Sequence, residues 1–370
     1  MENKMPAASD VPKEPALIWE EPRLDPKEVH FRIPGPKDDL RLFLRYLPPA
    51  DEAGTAIVLY IHGATFPSAL SIAHRFDGRS WRDELCEAGF HVWGLDFQGY
   101  GGSDRYPEMA APADLNPVPG RAEDAAKQVE TAARFIVDFH KVQKISVIAH
   151  SWGSMAAGRF ASQRPELVDR IVFFAPISMR SIGTTSWSSP STGTWRWITL
   201  QAQWDRFTED VPAGHPAVLA KRHFDEWGEL YLDTDPESRL RVPASVKVPA
   251  GPIHDIAAAW SGDLAYDPGQ IKAPVAIIRG EWDETTSAAD SAWLFAALSS
   301  SRLKRETTIG GGTHLMHLER NRYALYRETE TFLLGKDEPQ GASFSSFRLR
   351  QRPSCGARLA CEADLERWQH

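Results

Sequence analysis

The chain has 370 residues and only three cysteines, which is room for one large domain carrying an insertion and too few thiols for a disulfide framework. The formal net charge is −8, with no basic stripe, so nucleic acid is excluded as a partner. No window approaches the roughly 18 apolar residues of a membrane span, and the N-terminal stretch lacks the apolar core of a secretory signal, so a cytoplasmic protein acting on a small molecule is expected.

Residues 1–28 are polar, proline-rich and acidic and read as a mobile leader. Two apolar pieces, 29–32 and 40–47, flank Pro34-Gly35-Pro36, a hairpin signal. The run 56–61 is apolar throughout, like a strand buried on both faces, and ends at His62-Gly63-Ala64-Thr65. A short helix is predicted over 80–88, with Ser80 as cap, Asp83 three residues on and Gly89 as stop. A strand follows at 90–95 and runs into Asp96-Phe97-Gln98-Gly99-Tyr100-Gly101-Gly102-Ser103. An amphipathic helix is predicted over 121–141, with Ala125, Val129, Ala132, Ile136 and Phe139 on its buried stripe.

Residues 145–150 are β-branched and apolar, then give way to His150-Ser151-Trp152-Gly153 and an alanine-rich helical stretch. This is a strand, a sharp turn and a helix with a serine at the apex. The residues two places either side of such a serine must be small for strand and helix to pass, and here they are Ala149 and Gly153. A strand at 170–174 follows. The strand–helix alternation then stops from 177 to 260, where helical pieces are predicted at 216–230 and 253–260 and no buried strand. It resumes with a strand at 274–280, a helix at 287–298, a strand at 303–309, the turn Gly310-Gly311-Gly312-Thr313-His314 and a helix at 319–334. Residues 336–370 form a polar, arginine-rich tail. The expected fold is a mostly parallel twisted sheet flanked by helices, with a cap at 177–260 inserted after the sixth strand and a core at 29–176 and 261–335.

In an open parallel sheet, the loops at the carboxyl ends of the strands converge over one edge. Here those loops carry His62-Gly63-Ala64, Ser151, Asp283 and His314, in that order. The Ser–acid–His order and the serine turn resemble the α/β-hydrolase superfamily over about residues 29–335. A serine hydroxyl needs a base, and an imidazole, with a free pKa near ~6.5, suits that task. The resemblance implies His314 as the base, because it follows the glycine turn and precedes Glu319 by five residues; His317 is the competitor. Asp283 is the expected acid, with Glu281 and Glu284 as neighbouring alternatives. The preceding strand-end loop, Phe174-Ala175-Pro176-Ile177, offers no acid. The backbone N–H groups of Ala64, or Thr65, and Trp152 are expected to form the oxyanion hole. His62 and Asp96 are read as scaffold, and no cofactor or metal is expected.

Six tryptophans, Trp187, Trp195, Trp197, Trp204, Trp227 and Trp260, fall in the cap. They suggest an aromatic chamber, with Phe66, Trp195 and Trp197 as substrate-binding residues and Trp152 in the same space. The implied activity is hydrolysis of an ester or lactone with a bulky apolar group. The serine at 151 argues against the dehalogenases and epoxide hydrolases of the superfamily, which use a carboxylate there. The alternatives are an aminopeptidase resembling proline iminopeptidases, with Asp225, Glu226 or Glu229 holding the amine, a thioesterase or acyltransferase, and a ligand-binding receptor without activity.

Overall fold

The computed structural model describes residues 21–37, 39–51, 56–115, 117–180 and 193–335. Trp187, Cys355, Cys361 and the expected tail lie outside these residues.

The strand sequences explain the layers. Strands β1 (Val29–Pro34) and β2 (Arg41–Leu47) form the predicted hairpin, and β3 (Ala56–Ile61), β4 (Phe90–Asp96), β5 (Ile145–His150) and β6 (Val168–Phe174) follow. The chain then leaves the sheet, makes an antiparallel ribbon of β7 (Trp195–Thr199) and β8 (Ser245–Pro249), and returns as β9 (Val275–Gly280) and β10 (Lys304–Ile309). The main sheet has the order β1-β2-β4-β3-β5-β6-β9-β10, antiparallel where β2 meets β1 and β4 and parallel from β4 onward. Alternate residues of each central strand supply opposite faces. Ile57, Leu59, Ile61, Val147, Ala149, Ile171 and Phe173 join one apolar layer, while Val58, Tyr60, Ile148, Val172 and Phe174 join the other. Helices α2 (Ala122–His140) and α3 (Gly153–Gln163) cover the first face, and α1 (Trp81–Glu87) and α8 (Arg322–Leu333) the second.

Local chemistry sets the helix ends. Ser80 and Asp83 form a reciprocal capping box on α1, and Ser287 and Asp290 do the same for α7 (Ala288–Ala297). The helix expected from 319 begins only at Arg322, because Glu319 turns inward and accepts hydrogen bonds from the backbone and hydroxyl of Thr313. Phe139, placed on the buried stripe of α2, is 46% exposed, with its ring packed on Phe31 and Trp93.

Two sequence expectations need correction. Residues 21–28 are anchored: Glu21 pairs with Arg45, Asp25 with Arg75, and buried Glu28 with both Arg45 and Arg82. The cap, expected without strands, contains the β7–β8 ribbon as well as α4 (Leu200–Thr208), α5 (Lys221–Asp233) and α6 (Gly251–Trp260). Most of its aromatic content builds its own core. Trp227 stacks on Tyr231 with ring centroids 5.1 Å apart, and Trp204 meets Phe224 edge-on. The cap is bonded to the sheet domain at several points. Trp227 donates to the Leu70 carbonyl at 3.0 Å, and Asp255 on α6 accepts from the Ala122 backbone and from the indole of Trp152.

Candidate active site

The turn after β5 holds Ser151 at φ +54°, a left-handed conformation that costs about 1–2 kcal/mol for a residue with a Cβ. Neighbouring bonds hold it there. The Ser151 N–H donates to the Phe174 carbonyl at 3.0 Å, and the Ser154 backbone and hydroxyl both donate to the Ser151 carbonyl, at 2.9 and 2.6 Å. The steric requirement falls on Gly153, where a Cβ would meet the His62 carbonyl oxygen at 2.3 Å. At the other small position, Ala149 fits with its methyl fully buried.

Strands β9 and β10 are neighbours in register, Gly280 opposite Ile309, so the loops leaving them touch. A Cβ on Gly280 would stand 2.2 Å from the Gly312 carbonyl oxygen, and Trp282 donates to that carbonyl at 2.9 Å. This contact brings together Asp283 and His314. The His314 Nδ1 lies 3.1 Å from both carboxylate oxygens of Asp283, and its Nε2 lies 2.8 Å from the Ser151 hydroxyl. All three side chains are buried, and the Thr286 backbone N–H also donates to Asp283 at 2.8 Å. With Asp283 accepting at Nδ1–H, Nε2 is the free acceptor for the serine hydroxyl. Glu281 instead accepts from the Gly311 backbone, and Glu284 is exposed.

His317 stands behind this group, fully buried against Phe66, His150 and Phe174. Burial, then the charge of His314, pushes its pKa down to about 3, so it is a neutral packing residue. Two further residues were not singled out from the sequence. His150, also held well below the ordinary imidazole range by burial, donates from Nε2 to the His314 carbonyl at 3.0 Å and fixes that backbone. Its place immediately before Ser151 was the available signal. Asp210 reaches from the cap to the neighbourhood of His314 and Asp283, and burial raises its carboxyl pKa. Its sequence context carries no such signal.

On the opposite side, the Phe97 N–H donates to His62 Nε2 at 3.0 Å, so the ring carries its proton on Nδ1 and donates to the Gly63 carbonyl at 2.7 Å. The Tyr100 hydroxyl donates to the Ala64 carbonyl at 2.8 Å. In a trans peptide the N–H points away from the carbonyl, so these two bonds aim the N–H groups of Ala64 and Thr65 away from His62 and Tyr100. Among the described residues, the N–H groups of Ala64, Thr65 and Trp152 have no hydrogen-bond acceptor. Asp96 ties the adjoining loops, accepting from Ser68 and Gly102.

A cavity of about 340 Å³ opens over Ser151 and His314. Phe66, Ile253, Ile256, Trp260 and Leu315 give it apolar walls, and Arg196, Arg206 and Glu209 of the cap also line it. Of the three residues expected to bind substrate, Phe66 lines this cavity and Trp195 and Trp197 do not. The Trp195 indole donates to the Ala111 carbonyl beneath the Lys247 ammonium, and Trp197 is 57% exposed. Successive residues of a strand point to opposite faces, and in β7 the inward positions are Arg196 and Ile198. Trp152 likewise contributes no ring to the cavity; its indole is buried edge-on to Phe97. Asp225, Glu226 and Glu229 are exposed on α5 and do not line the cavity, and Lys221 and Arg239 pair with Asp225 and Glu229.

A family model described as the alpha/beta hydrolase fold matches residues 57–321. Among solved structures, a serine hydrolase from the polyaromatic-hydrocarbon-degrading bacterium Cycloclasticus zankles aligns with a TM-score of 0.55 and 14% identity, over 84% of this chain and 100% of the other. A monoacylglycerol lipase from Paleococcus ferrophilus aligns with a TM-score of 0.50 and 18% identity, over 80% of this chain and 98% of the other. At such identities the likeness shows the fold. Epoxide hydrolase 1 of Caenorhabditis elegans is 30% identical over 114 residues, which are 30% of this chain and 25% of that protein, so this match spans a quarter of the relative's length.

Proposed function

Because the chain belongs to the α/β-hydrolase family, we propose that it is a serine hydrolase that cleaves a carboxylic ester or lactone through an acyl-enzyme. The observation that carries this reading is the unbroken line of hydrogen bonds from Asp283 through His314 to the hydroxyl of Ser151.

In the proposed mechanism, Ser151 Oγ attacks the substrate carbonyl carbon as its proton passes to His314 Nε2. Asp283 stays ionised, fixes the imidazole tautomer and offsets the charge of the imidazolium. The negative charge that forms on the carbonyl oxygen meets the N–H groups of Trp152 and Ala64, with Thr65 adjacent, each worth about 3 kcal/mol in the transition state. Collapse of the tetrahedral species breaks the bond to the alcohol oxygen, which takes the proton from His314. Water then attacks the acyl-enzyme, giving its proton to the same nitrogen, and a second collapse returns the proton to Ser151 with release of the acid. Phe66, Ile253, Ile256 and Trp260 suit the apolar part of a small ester.

A fluorophosphonate probe tests the reading. Covalent labelling and turnover of aryl esters are expected, both lost in Ser151→Ala. If the native protein is neither labelled nor active on a panel of aryl esters, lactones and thioesters, it is a ligand-binding member of the fold and the proposal fails.

A further inference from the structure

The cavity above Ser151 contains a cation with no partner. Arg196 sits on β7 and faces inward between two outward tryptophans. Its Nε is buried and has no hydrogen-bond acceptor, and among the described residues its guanidinium makes no hydrogen bond or ion pair. Residues 181–192, which precede this strand, contain no aspartate or glutamate. Arg206, the other arginine in the lining, is already engaged with Glu209 and the Thr285 hydroxyl, and lies 3.6 Å from Asp210.

Arg196 is half-buried, with its Nε shut off from solvent, and such partial loss of hydration without an opposite charge is unfavourable, while arginine's fork of donors matches a carboxylate in two parallel bonds. Burial holds the hydroxyls of Tyr100 and Tyr231 in their neutral forms, and the charge of Arg196 is near enough to act against that shift in both. The Tyr100 hydroxyl is the one bonded to the Ala64 carbonyl. The unpaired charge therefore stands near the Ala64–Thr65 turn, inside the same cavity as the serine. Phe66, Ile253, Ile256, Trp260 and Leu315 form the apolar walls, and the Arg206–Glu209 pair in the lining already satisfies its own charges, so a ligand that satisfies the rest of the surface combines an apolar body with one compact anion.

We propose that the substrate is an ester bearing a carboxylate away from the scissile carbonyl, and that Arg196 binds that carboxylate. This rests on the hydrolase reading and narrows it from apolar esters to anionic ones. No bond to Arg196 forms or breaks; it supplies binding and orientation only.

The test uses two matched pairs of esters and the full chain. The first pair carries the charge on the acyl side: the 4-nitrophenyl half-ester of glutaric acid against 4-nitrophenyl pentanoate. The second carries it on the alcohol side: 4-carboxyphenyl butyrate against its carboxamide. In at least one pair the anionic ester is expected to have the higher kcat/KM by about tenfold or more, mainly through KM, as for a hydrogen-bonded charge pair. Arg196→Gln is expected to abolish that ratio and Arg196→Lys to restore part of it. Turnover of the neutral ester by each variant reports that it is folded. Neutral esters turned over with no anionic preference in either pair, or a preference that survives Arg196→Gln, would overturn the proposal and leave the hydrolase reading standing. No turnover of any ester, together with no fluorophosphonate labelling, would remove both.

Discussion

His314 has three polar contacts that divide its work: Asp283 at one ring nitrogen, Ser151 at the other and His150 on its carbonyl. Replacing Asp283 by Asn puts an amide where the ring nitrogen needs an acceptor and favours the wrong tautomer. A loss of about 10⁴ in kcat is expected, whereas Glu284→Gln, on an exposed side chain, should change kcat little. The pH profile is a second prediction at this scale. Burial holds His150 and His317 well below the ordinary imidazole range, so neither supplies the acid limb of the pH profile, and the proposed mechanism needs a single proton acceptor, the Nε2 of His314. The plot of log kcat/KM against pH should therefore rise with a slope of one on its acid side. A slope near two would show that a second group, such as Glu319, whose carboxyl burial pushes up to about 7, must also lose its proton, and would break the assignment to a single base.

At the level of elements, the β7 ribbon decides what the cavity sees. The pleat turns Trp195 and Trp197 outward and Arg196 and Ile198 inward, so a stretch that looks aromatic presents a cation to the serine. The double variant Trp195→Ala/Trp197→Ala should leave the preference between short and bulky esters as it is in the native protein. Trp260→Ala, which enlarges the cavity wall itself, should shift that preference toward bulkier esters. Comparing kcat/KM across an ester length series checks both. Helix α6 brings Trp260 into place, and its Asp255 also holds the indole of Trp152, so the cap is fastened to the residue that follows the serine. Burial raises the pKa of Asp255, while Arg121, Trp152 and the Ala122 backbone act against that shift.

For the molecule as a whole, residues 21–28, just before β1, belong to the folded structure. Burial acts to raise the Glu28 pKa, but its hydrogen bond to His30 and the charges of Arg45 and Arg82 outweigh it and hold the group at about 2, against an ordinary 4.5. A depressed carboxyl contributes stability that is complete above the unfolded value and disappears as pH falls through the folded one. The melting temperature should therefore fall between pH 4.5 and about 2 partly through this group. Glu28→Gln should lower the melting temperature at pH 7 and flatten that acid limb, because buried Arg82 loses its counter-charge and buried Arg45 loses one of two. An unchanged acid limb in the variant would show that the network does not set acid stability.

The order of strands and helices in the sheet domain, the serine turn and the order Ser151, Asp283, His314 were all legible in the chain, because each rests on a local requirement. Continuous apolar runs make strands buried on both faces, a positive φ beside a close contact demands a small residue, and loops after parallel strands meet at one edge. The cap was less legible: its ribbon is short and only partly buried, and the two tryptophans expected to line the cavity, Trp195 and Trp197, lie on the other face of that ribbon. Only the tertiary structure decided which side of β7 faces Ser151. With a side-chain period of two, a displacement of one residue exchanges an aromatic wall for an arginine. It also bonded His150 to the His314 carbonyl and brought Asp210 within electrostatic reach of His314, relations across the fold between residues that no sequence spacing connects.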